Sequence, residues 1–328
     1  MSVFRKLKVN FLAILVMVAS PIFGWTTQYQ EALEQGSREN KPLLLYFTGS
    51  DWSGWGMKMK NEILDSKAFK EKTASSFICV EIDFPQHKSL SAEEASQNTL
   101  LKERFRVKEY PALILIDPEE REIVRLGYLP ESGEQLANDL LRIVKQDGRL
   151  CQGLTKLDAL SDSELFEIYY LAQELGRTDA IDTILEAGLK LNDTFFQLEK
   201  YRLLVETGKM DSAEGRSLKE QLLANEAASI HFRVATIEFQ ELAKKPAENR
   251  QKAIQPLEDY LARFKDKDPE NVWRIEMMIA QFYLESDEWR TALKHAEIAH
   301  QTAPPTMRPT IEHSLNYIRD QVGQIAQK

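Results

Sequence analysis

The sequence predicts an α/β domain, with a mixed sheet covered on both faces, followed by an all-α domain of helical hairpins. Three observations carry this expectation. Four short apolar runs, at 43–48, 77–84, 112–117 and 122–126, alternate with helical segments in the first half, as strands buried between helices do. The second half, 155–328, has no comparable run and alternates amphipathic segments with polar or glycine turns. With 328 residues, 43% of them hydrophobic and 28% charged, the chain can bury two ordinary cores.

Basic Arg5, Lys6 and Lys8 precede an apolar run at 11–19, then Pro21 and the small Gly24. The run is short for a bilayer span and fits a secretory signal. Residues 1–24 are therefore expected to be removed by cleavage before Trp25. No cysteine follows the run, which excludes a lipoprotein anchor. The mature chain is expected in the periplasm or outside the cell, where thiols can be oxidised. The next domain spans 25–148. Tyr29, Ala32 and Leu33 have helical spacing, and Gly36 is expected to stop that helix. The run 43–48 ends in Tyr46 and Phe47 and reads as a strand buried on both faces. A helix is expected over 55–70, a strand over 77–84 and a polar surface helix over 92–105. Strands at 112–117 and 122–126, turned by Pro118, Glu119 and Glu120, form a hairpin, and an amphipathic helix over 133–145 closes the domain. A linker follows at 149–154.

At this point the residues carry a family resemblance. LLLYFTGSDWSGWGMKM, at 43–59, resembles the strand, loop and helix start of thioredoxin-like proteins, in which a Trp-Cys-x-x-Cys motif stands where strand gives way to helix. Residues 80–84 resemble the second strand of that family. VKEYPALILID, at 107–117, resembles the segment with the cis-proline, and Arg125-Leu126-Gly127-Tyr128 resembles the last strand and its turn. The resemblance covers about residues 25–148. It is greatest to secreted bacterial proteins of the thioredoxin or disulfide isomerase type, and it implies a thioredoxin fold and protein-disulfide oxidoreductase or isomerase activity.

The departure from that pattern is chemical. Laid on the motif, the sequence reads Trp52-Ser53-Gly54-Trp55-Gly56, with Ser53 at the attacking position and Gly56 at the resolving one. Thiol exchange needs a thiolate that attacks and a second sulfur that releases the mixed disulfide. Neither is present, so no catalytic residue is expected at this degenerate CxxC. As a hydroxyl nucleophile Ser53 would need a base and an oxyanion hole, and W-S-G-W-G is not G-x-S-x-G. As an N-cap it needs only the backbone N–H groups of the next turn. Gly56 is expected to leave space beside Trp52, Trp55 and Pro111. The resemblance makes Pro111 cis, with Tyr110 before it. Trp52, Trp55, Tyr110 and Pro111 are then expected to form an aromatic platform that binds peptide by stacking and strand-like hydrogen bonds.

The remaining sulfurs, Cys79 and Cys151, belong to no CxxC pair. Cys79 falls inside a predicted strand and reads as a buried, unreactive thiol, while an oxidising compartment leaves a structural disulfide open. His295 and His300 point apart on a helix, and Glu297 with His300 makes only two ligands, so no metal site is expected. There is no glycine-rich phosphate loop and no basic-aromatic patch, so no cofactor is expected. The formal charge of −9, more acidic still once the three basic residues of the signal are removed, excludes nucleic acid and anionic membrane as expected partners.

In the domain at 155–328, hairpins can be anchored on Ala180, Ala213, Ala253 and Ala292, at offsets of 33, 40 and 39 residues. That range fits a helical-repeat array. The unit at 273–304 resembles a tetratricopeptide repeat through Ala280, Tyr283, Ala292, Ala299 and Pro304, and departs from it at Ala296, where a bulky residue is usual. Two functional expectations follow. In one, the protein is a redox-inactive, chaperone-like module that binds a protein or peptide client. In the other, it is a thiol-disulfide oxidoreductase, either with cysteines at 53 and 56 in the natural sequence or with a cysteine elsewhere taking part.

Overall fold

The computed structural model describes residues 24–244 and 250–325, so the expected signal, apart from Gly24, lies outside the described residues. The chain divides into two compact units. The first ends at Thr155 and also takes in Glu174–Gly176; the second comprises Lys156–Gln173 and Arg177 onward.

The first unit is built on a five-stranded sheet in the order β1-β3-β2-β4-β5. Its strands are β1 (Trp25–Thr26), β2 (Leu43–Thr48), β3 (Ile78–Asp83), β4 (Ala112–Ile116) and β5 (Glu122–Leu126). The central strand β2 is buried at every position, which explains its unbroken apolar run. It runs parallel to β3 and antiparallel to β4. Side chains alternate between faces. Leu43, Leu45 and Phe47 meet Tyr29 and Ala32 of α1 (Tyr29–Glu39) and Leu101 of α4 (Ala92–Arg104). Leu44 and Tyr46 meet Met59, Ile63, Phe69 and the helix α5 (Gly133–Leu154) on the other face.

Several sequence expectations are corrected. The two-residue β1 is an addition to the expected strands; Trp25 and Thr26 pair with Cys79 and Val80 of β3. Gly36 does not stop α1. A Cβ there would stand 2.5 Å from Leu43 Cδ1, so glycine lets α1 approach β2, and the helix ends at Asn40, left-handed at φ 51°. The helix expected over 55–70 is three pieces: α2 (Gly54–Lys58), a π-helical stretch (Met59–Leu64) and α3 (Lys67–Thr73). The break follows from Asp65 and Ser66. Ser66 starts α3 by accepting from Phe69 N–H, and Asp65 binds Lys60 and Lys70. Finally, α5 runs on through 149–154, the stretch expected to be a linker. Leu150 is fully buried there, and Arg121 holds the buried Asp147 at 3.0 and 2.6 Å, so tertiary contacts carry the helix past Gly148.

Among its described residues, the regular structure of the second unit is α-helix, with one short 3-10 turn (Leu157–Ala159). Its helices are α6 (Asp162–Glu174), α7 (Thr178–Leu189), α8 (Thr194–Glu206), α9 (Ala213–Ala224), α10 (Ala228–Leu242), α11 (Arg250–Phe264), α12 (Pro269–Leu284), α13 (Trp289–Thr302) and α14 (Arg308–Ile325); α8 packs with α9, α10 with α11 and α12 with α13 as hairpins, while α7 packs on α8. Ala213, Ala253 and Ala292 fall in the second helices of these hairpins, and Ala180 falls in α7. Ala180, Ala253 and Ala292 are buried, whereas Ala213 begins α9 and is exposed. Ala296, small where a repeat usually has bulk, is fully buried and packs with Ala280, Leu315 and Ile318, so α14 fills the space. The chain thus combines a thioredoxin-like α/β domain with an all-α hairpin domain. No helix among the described residues is long and apolar enough to cross a membrane.

Candidate functional site

The site lies where β2 gives way to α2. Three polar links fasten the intervening loop to the end of β3. The Ser50 N–H and hydroxyl donate to Asp83 at 2.7 and 2.5 Å. The Asp51 carboxylate accepts from the N–H groups of Gln86 and His87 at 2.9 and 2.7 Å, and those bonds, Gln86 first, hold its pKa below the usual carboxylate range. The Trp52 indole Nε1–H donates to the Phe84 carbonyl at 2.7 Å. The loop therefore presents its residues in a fixed frame.

Ser53 caps α2. Its backbone is extended, and its buried hydroxyl accepts from Gly56 N–H at 3.2 Å, a contribution of about 1 kcal/mol. No carboxylate or imidazole bonds that hydroxyl among the described residues. Gly56 is buried, and a Cβ there would stand 2.5 Å from Thr48 Oγ1 and 3.0 Å from Ser53 Oγ, so glycine lets the start of α2 approach β2. Below it, the Tyr46 hydroxyl donates to the Gly56 carbonyl at 2.6 Å. Burial pushes that phenol up to about 12, which keeps it a donor.

The expected platform resolves into two aromatic groups. The Trp52 ring meets Tyr110 edge-on at 5.7 Å, and Tyr110 meets Phe84 at 5.4 Å. The Tyr110–Pro111 bond is cis. Trp55 instead pairs with Tyr128, at 4.7 Å. Trp52 is 39% exposed and Trp55 59%, so both indoles present open surface. Each group carries a lysine: Lys102 over Phe84 and Tyr110 at 5.5 and 5.4 Å, and Lys58 over Trp55 and Tyr128 at 5.7 Å. Sequence reasoning missed Phe84, Tyr128, Lys58 and Lys102 as part of this rim. Tyr128 stood in the quoted turn, but nothing local identified its partner.

The two cysteines are free. Burial pushes the Cys79 thiol up to about 12, an effect that nearby Lys60 only partly offsets. In the native chain at pH 8, Cys79 is therefore expected to resist iodoacetamide and to label only after unfolding; mass spectrometry before and after denaturant checks this, and rapid native labelling would refute it. Cys151 lies on α5, within 3.6 Å of Arg121 Nη2. Of the other residues weighed from sequence, His295 bonds Glu276 at 2.7 Å and Glu297 bonds Arg319 at 3.1 Å.

Comparison with known proteins agrees with this architecture. The thioredoxin-like family matches residues 24–118. Along 305 residues the chain is 43% identical to the thioredoxin-related protein DsbJ of Chlamydia pneumoniae, covering 90% of this chain and 88% of that one. It is 38% identical over 116 residues to the disulfide bond reductase DsbH of the same organism, covering 35% of this chain and 69% of that one. Among solved structures, a DsbH oxidoreductase is 33% identical, covering 42% of this chain and 95% of that one with a TM-score of 0.37.

Proposed function

Because the chain belongs to the thioredoxin-like family yet carries Ser53 and Gly56 at the dithiol positions, we propose that it is an exported, redox-inactive member that binds polypeptide at the rim of Trp52, Trp55, Tyr110 and Pro111. The observation that carries the reading is the Ser53 hydroxyl, an oxygen committed to capping α2. Thiolate attack requires an ionised sulfur stabilised by the N–H groups and dipole of that helix start. A serine hydroxyl does not ionise there to a useful extent, and Gly56 offers no second sulfur to release a mixed disulfide. Cys79 is closed inside the sheet and cannot replace them.

The binding half of the reading rests on the open indoles. Rigid aromatic surface at an interface contributes affinity at small entropic cost, and the neighbouring ammoniums of Lys58 and Lys102 favour client segments with carboxylates. A chaperone-like role needs no more than this reversible burial of exposed apolar side chains. The apolar segment behind Lys6 and Lys8 supports export to an extracytoplasmic compartment.

Similarity to a disulfide bond reductase favours a second reading, direct work in thiol exchange. Insulin reduction under dithiothreitol separates the two. The purified chain is expected to add nothing to the background rate and to trap no mixed disulfide, whereas turnover above background would establish the second reading.

A further inference from the structure

The helical unit has an open groove of its own, on α14. Helix α14 packs inward through Ile311, Leu315 and Ile318, all buried. Its other side places His313, Tyr317 and Asp320 at i, i+4 and i+7, one stripe of a helix. That stripe lines a groove of about 650 Å³ whose other lining residues include Leu284, the last residue of α12, Glu285 just after it, and Trp289, the first residue of α13. Tyr317 presents a large aromatic ring on that stripe: it is 56% exposed, with its ring 6.3 Å from that of Trp289.

The groove is also acidic. Glu285 and Asp320 line it, and Asp287 and Glu288 line a smaller hollow that shares Trp289. Asp320, Asp287 and Glu288 enter no ion pair among the described residues, and Glu285 accepts only from the Gln281 amide. Against these four carboxylates the linings supply one arginine, Arg290, and His313. Open aromatic rings flanked by uncompensated carboxylates match a guanidinium or ammonium held over a ring with apolar neighbours on either side. A second copy of this chain, net −9, matches poorly, because like charges oppose its approach.

We propose that the groove between α12 and α14 binds a polypeptide segment that presents arginine or lysine among apolar side chains. Its charge preference is opposite to that of the rim, so the two sites would hold different segments.

The probe is a fluorescein-labelled peptide of alternating arginine and leucine, titrated with the full chain by fluorescence anisotropy. A matched peptide with glutamine for arginine serves as the control. The arginine peptide is expected to bind, to weaken as salt rises and to outbind the glutamine peptide by roughly tenfold or more. Tyr317→Ala and the isosteric Asp320→Asn should each weaken it severalfold, with thermal unfolding unchanged. Trp52→Ala/Trp55→Ala should leave it intact, so failure at the rim and failure at the groove are distinguishable. Equal affinity for the two peptides, no binding of the arginine peptide, or full affinity in the folded Asp320→Asn and Tyr317→Ala chains would overturn the proposal. So would a dimer, seen by sedimentation equilibrium, that those substitutions dissolve.

Discussion

Removal of both indoles, in Trp52→Ala/Trp55→Ala, is expected to weaken binding of a carboxymethylated, permanently unfolded protein by well over tenfold while the chain stays folded. Carboxymethylation blocks the client's sulfurs, so only noncovalent binding is read. An aromatic anchor at the centre of an interface contributes about 2 kcal/mol or more, and each 1.4 kcal/mol is tenfold in affinity. The two residues differ in what else they do. Trp55 is the more exposed and meets Tyr128 at the surface, so Trp55→Ala tests binding with little effect on stability. Trp52 also donates to the Phe84 carbonyl, and its loss removes one hydrogen bond worth about 1 kcal/mol. Calorimetry and thermal unfolding on the single and double variants separate the two effects. Equal affinity in a folded double variant would remove the rim as the client site.

The second large effect concerns sulfur. Ser53→Cys/Gly56→Cys is expected to create a titratable dithiol, but in a chain destabilised by about 1 to 3 kcal/mol, the usual cost of overpacking. A Cβ at position 56 would stand 2.5 Å from Thr48 Oγ1, and Thr48 is itself buried. Adding Thr48→Ala is expected to recover most of that stability. At position 53 a thiolate would accept from Gly56 N–H at the start of α2, as the serine does. The thiol introduced by Ser53→Cys is thus expected to titrate below the ordinary value of ~8.5, seen as a midpoint in the pH dependence of iodoacetamide labelling. Denaturant unfolding of the three chains checks the packing argument. An unchanged midpoint in the double variant would show that Thr48 gives way freely.

Much of the architecture follows from signals that act within a few residues. The strands at 43–48, 112–116 and 122–126 were legible because an uninterrupted or alternating apolar run records its own burial. The cap at Ser53 was legible because a hydroxyl placed before a helix has nearby N–H groups to satisfy. That positions 53 and 56 carry no sulfur is read directly from the sequence, whatever the fold around them.

What the sequence left open depends on partners distant along the chain. Gly36 reads as a stop, yet its role is set by Leu43 across the α1–β2 interface. The helix after Gly54 breaks because Asp65 and Ser66 find Lys70 and the backbone of α3. Helix α5 outruns its expected end because Arg121, on the hairpin before β5, holds Asp147. Trp55 was expected to form one platform with Trp52 and Tyr110, and its ring meets that of Tyr128 at a tilt, a neighbour that the docking of β5 beside β4 brings near. The acidic groove of the helical unit has no sequence signature, because its walls come from separate helices. By itself, then, the sequence determined the order of the four longer strands, the α/β-then-all-α plan and the lack of sulfur at positions 53 and 56. Tertiary structure alone decided which aromatic meets which and where open surface remains, because side chains far apart in the chain become neighbours only when the elements pack.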